Sequence, residues 1–146
     1  MGNWGFYPKD GDTALDIKSD IDDAVNIALG KIIQNNSKGK GFAKCEWDIC
    51  GVIMILLQQG TFVDRKYLSK AVNWLKAFAK DEVFLDEWGE NRSEVLEHIK
   101  KLTIAMEKLL KDTQTKHILA PRGWMLRDFE MKAGTSWSGL SELLKS

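Results

Sequence analysis

The chain has 146 residues, 44% of them hydrophobic, with six Trp and equal numbers of basic and acidic side chains, 21 each. That length and apolar content predict one domain, residues 1–146, able to bury a core without metal or disulfide staples. Zero net charge, with only four arginines among the basic residues, argues against nucleic acid and against an anionic membrane surface as partners.

The chain opens with "MGNWGFYPKDGDTALDIKSDIDD", two glycines and three aromatics followed by a run of aspartates. From Asp12 to about Ile33, apolar residues at Ile21, Val25, Ala28 and Ile32 step by four, three and four. That spacing predicts a helix buried along those residues, with Asp12 as its N-cap. The polar stretch Gln34–Gly41 predicts a loop. A second helix is expected from about Phe42 to Gln59, its centre apolar on every side. For the nine-residue apolar run Ile49–Leu57 a buried strand competes with the helix, because periodicity alone does not separate the two. The run is far short of the roughly 20 residues needed to span a bilayer.

Asp64 is expected to cap a third helix through Lys80, with Leu68, Ala71, Leu75 and Phe78 as its stripe and Tyr67 and Trp74 at the edges. Residues 81–93 make a connector with room for one helical turn. The plainest helix follows, from Ser93 to about Lys111: Val95, Ile99, Leu102, Met106 and Leu109 step by four, three, four and three. The tail from His117 to Ser146 is irregular around "APRGW" and ends in a short amphipathic stretch through Leu140, Leu143 and Leu144. No alternating strand pattern of real length occurs. The expected fold is all-α: a single-domain helical bundle of four to five main helices with an irregular C-terminal segment, its core including Ile53, Leu57, Leu75, Leu102 and Met106.

The chemistry-bearing residues are few. Cys45 and Cys50 are five apart on a predicted helix, hence on different sides, and no second pair completes a zinc site. Both are expected reduced and structural, which fits a cytoplasmic protein without a signal peptide. Glu94 and His98 share a helix face and offer two ligands, but a third would have to come from elsewhere, so no metal and no cofactor are expected. "LGKII" at 29–33 and "KGKG" at 38–41 lack the rest of a phosphate-binding loop. "DGDTAL" departs from a calcium loop at its third ligand and its glycine. No catalytic residues are assigned.

Two candidate sites remain. On a helix, Asp16, Asp20 and Asp23 share one side, away from the apolar stripe, and form either a solvated, well-capped helix start or an acidic face that, with nearby aromatics, binds a protein partner with a basic surface. In the C-terminal segment, Arg122, Trp124, Arg127 and Asp128 are placed to grip an anionic small molecule, as in a small ligand-binding protein or enzyme. The competing expectation there is a strap that packs Trp124, Leu126 and Phe129 onto the bundle. Trp4 is expected to dock on the core. A monomer and a homodimer are both compatible with the sequence.

"MGNWG" at residues 1–5 followed by "DTALD" at 12–16 resembles the start of a family of short, uncharacterised bacterial proteins. Members of that family are often all-helical and similar in size. Some occur beside toxin or defence genes. The resemblance implies an immunity or inhibitor role and supplies no catalytic residue.

Overall fold

The computed structural model describes residues 8–37 and 45–126. They form an all-α protein of five helices: α1 (Asp12–Ser37), α2 (Glu46–Gln58), α3 (Arg65–Phe78), α4 (Glu82–Asp86) and α5 (Arg92–Asp112). A two-residue pair of strands, β1 (Val63–Asp64) and β2 (His117–Ile118), joins antiparallel with Val63 opposite Ile118.

The core is built where α3 packs against both α5 and α2. α3 contributes Leu68, Ala71, Val72 and Leu75, and α5 contributes Ile99, Leu102, Met106 and Leu109 at the spacing of one helix face. All five core residues expected from the sequence are buried. The run Ile49–Leu57 is helical, and Ile49, Cys50, Ile53 and Leu57 are its buried positions. Helix resolves the ambiguity because neighbours lie on more than one side of α2: Trp47 meets Phe78 and Phe84 edge-on or tilted at 5.5 and 5.1 Å, while Cys50 Sγ approaches Ala71 O of α3. Burial pushes the Cys50 thiol up to about 12, with the carboxylate of Glu46 adding to the effect, so it stays protonated and unreactive at neutral pH. Cys45, at the N-cap position of α2, is also raised, by burial first and then by Asp48 and Glu46. Both cysteines are free.

Polar groups tie the helix ends together. The Arg65 guanidinium, at the start of α3, donates to Leu110 O at 2.6 Å and to Thr113 O, two carbonyls at the end of α5 that the helix itself leaves unpaired. Asp64 does occupy the N-cap position of α3, but its side chain makes no cap bond; it faces His117 Nδ1 at 3.9 Å instead. The connector carries more structure than its composition implies, since α4 and a 3₁₀ turn (Gly89–Asn91) fill it, held by Arg92 pairing with Glu82 and Asp86. The hydrogen bond that Arg92 donates to Glu82, joined by the two negative charges, holds its guanidinium above the ordinary range.

α1 departs from expectation in register and in length. Its buried residues are Asp22, Asn26, Leu29, Ile33 and Asn36, one position on from the stripe predicted by hydrophobicity. Ile21 and Ile32 are exposed. Three of the five buried residues are polar, and an apolar-periodicity argument passes over them. The helix also continues through Ser37, four residues into the predicted loop, because Asn36 turns inward and accepts from both the backbone N–H and the thiol of Cys45, each at 3.2 Å. Gly30 permits the closest approach to α3: a Cβ there would stand 2.2 Å from Tyr67 Oη.

Candidate functional site

The candidate site is α1, and its position is set by a polar latch. Asn26, only 4% exposed, uses all its hydrogen-bonding groups within the described chain. Its amide donates to Asp22 O and to Phe62 O, both at 2.8 Å, and its Oδ1 accepts from Asp64 N at 2.8 Å. One side chain therefore joins α1 to the strand that precedes α3. One turn earlier, Lys18 donates to the buried carboxylate of Asp22 and reaches Gly60 O at 3.0 Å. Below the latch, Leu29 and Ile33 enter the main core. Buried hydrogen bonds of this kind are directional, so they fix the rotation of the helix as well as its location.

With that rotation fixed, the rest of α1 faces outward as two neighbouring stripes. Asp16, Asp20 and Asp23 lie on one side at steps of four and three, and Ile27, 62% exposed, continues the same line. One residue on from each lies a second line: Ile17, Ile21, Ala24 and Ala28, with Ile32 beyond. Ile17 and Ile21 are 56% and 55% exposed. The residues beside the carboxylates are thus aliphatic. Of the aromatics that the sequence offers to such a surface, Trp47, Trp74 and Trp124 pack against the core. Trp88 is partly exposed at the edge of an aromatic cluster with Trp47, Phe78 and Phe84. Met1–Tyr7, including Trp4 and the "MGNWG" stretch, lie outside the described residues.

The second candidate site is only partly described. Trp124 is half-buried against the core, whereas Arg122 and Leu126 are exposed. A turn between them, with Gly123 and Met125 at positive φ, points the indole inward. Leu126, expected to pack with Trp124, does not. Arg127, Asp128, Phe129 and the C-terminal leucines fall outside the described residues, so of the four-residue grip proposed from the sequence only Arg122 and Trp124 are described. Gly30 and Lys31 of "LGKII" are in the middle of α1, whose amides are used within the helix, and "KGKG" lies outside the described residues. Among the described residues, no three His, Cys, Asp or Glu side chains are grouped to hold a metal ion. Nor is any helix among them long and apolar enough to cross a membrane.

Comparison of the chain with protein-family models, curated proteins and solved structures finds no match.

Proposed function

We propose that the protein is a non-enzymatic binder that recognises a partner protein through the outward side of α1, as an immunity- or inhibitor-type protein does. The observation that carries this reading is the pairing of two exposed stripes on one latched helix: carboxylates at Asp16, Asp20 and Asp23 beside aliphatics at Ile17, Ile21 and Ile27. Large aliphatics exposed singly are ordinary, but a row of them along a rigid helix marks an interaction surface. The carboxylates would steer a basic surface into encounter, and the aliphatics would supply the contacts from which water is expelled. Such a role requires complementarity and no chemistry, in keeping with the opening motif's resemblance to bacterial proteins found beside toxin genes. A cytoplasmic setting belongs to the same proposal.

The test is affinity capture from the source organism with the wild-type chain and with Asp16→Lys/Asp20→Lys/Asp23→Lys. A specific protein should be recovered by the wild type and released as salt rises, because exposed charges are screened beyond about 8 Å at physiological ionic strength. The triple variant should lose it while keeping the wild-type melting temperature. Equal recovery by the two chains would remove the acidic side from the interface.

A further inference from the structure

Away from α1, a groove of about 520 Å³ opens between α2 and α5. Small-molecule sites commonly enclose about 300–1,000 Å³ and are mostly apolar with a few polar groups at fixed places. This one reaches down to Cys50, Leu75, Ile99 and Leu102, all buried, and is rimmed by Val52 and Ile55, which are exposed. The groove therefore has depth and an apolar floor supplied by three helices.

Gly51 also lines it, in the middle of α2. A glycine inside a helix costs about 1 kcal/mol relative to alanine, so its presence calls for a physical reason. For Gly30 the reason is Tyr67. For Gly51 a Cβ would meet nothing within 4 Å. No neighbour in the described chain requires the glycine; what its missing side chain provides is room in the groove. The charge at the mouth limits what enters. Among the described residues that line it there is no lysine or arginine, and Asp48, exposed in the first turn of α2 beside Trp47, supplies a carboxylate. Among those residues an anionic amphiphile finds only the imidazole of His98 to face it. A cationic one finds both a carboxylate and an indole.

We propose that this groove binds one amphiphilic amine, its apolar body lying across Gly51 onto Leu75, Ile99 and Leu102 and its ammonium at Asp48 and Trp47. The site is separate from the α1 surface and does not depend on it.

Calorimetric titration of the full chain with decylamine, decanol and decanoate, each below its micelle-forming concentration, tests the assignment. Decylamine should bind at one per chain. It should bind about fivefold more tightly than decanol, the size an ion pair at an exposed rim supports, with decanoate weaker still. Affinity should rise about fourfold per methylene from hexylamine to decylamine. Gly51→Leu, whose Cβ would meet nothing within 4 Å and whose side chain would take up room in the groove, should weaken decylamine by about tenfold or more with helicity by circular dichroism unchanged. Asp48→Asn should abolish the preference for amine over alcohol, and this comparison decides the matter if Gly51→Leu fails to fold. The proposal is overturned by absence of saturable binding, by decanoate binding as well as decylamine, or by undiminished binding to a folded Gly51→Leu. It is also overturned if sedimentation shows a dimer that Gly51→Leu dissociates, which would make a second copy the occupant.

Discussion

Replacing Asn26 with leucine is expected to lower the stability of the protein by about 3–5 kcal/mol. The side chain is close in size, so the loss is not one of volume. Leucine would leave Phe62 O and Asp64 N–H without their partners at a buried junction, and each unsatisfied group costs about 1–3 kcal/mol. It would also remove the hydrogen bond that the side-chain amide donates to Asp22 O within α1. The effect should appear in urea denaturation as a lower midpoint with an unchanged slope. A change below about 1 kcal/mol would mean that water substitutes freely at this junction and that α1 is not latched there.

Met106→Ala should cost a comparable amount, about 2–5 kcal/mol. Met106 is fully buried on α5, at the face packed against α3, which is the most extensive helix pairing among the described residues. Truncation removes the thioether and its methyl group from a site with no route to solvent. The buried side chains that share the core with it are close-packed and close the resulting cavity only in part. The contrast with Ile21→Ala is informative. Although Ile21 is also a large aliphatic on a predicted apolar stripe, it is exposed, and its truncation belongs with ordinary surface changes of about 0.5 kcal/mol or less.

These two residues show what the sequence revealed and what it concealed. Met106 was legible because α5 buries apolar side chains at helical spacing, so hydrophobicity and burial coincide along Ile99, Leu102, Met106 and Leu109. On α1 they part company. Its inward face is held by Asp22, Asn26 and Asn36, residue types that a search for apolar periodicity assigns to solvent. The apolar line through Ile21 and Ile32 is instead the outward one, which reverses the meaning of the pattern. The β1–β2 pair was also hidden. Two residues per strand leave no alternation to detect, and the partners are separated by more than 50 positions. Asp16, Asp20 and Asp23 could be placed on one side by spacing alone; that Ile17 and Ile21 stand exposed beside them could not. Gly51 did leave a signal, as the single glycine within the apolar run of α2, but its significance depends on what surrounds it.

The central claim is that α1 is held by one side and offers the other two. Single-cysteine alkylation tests it most directly. In a chain carrying Cys45→Ala and Cys50→Ala, Ile21→Cys should react with iodoacetamide at close to the rate of an unfolded thiol, while Leu29→Cys should react roughly a hundredfold more slowly or less, through local opening only. Protection of position 21 to the same degree as position 29 would show that the outer stripe is covered, and would contradict the account.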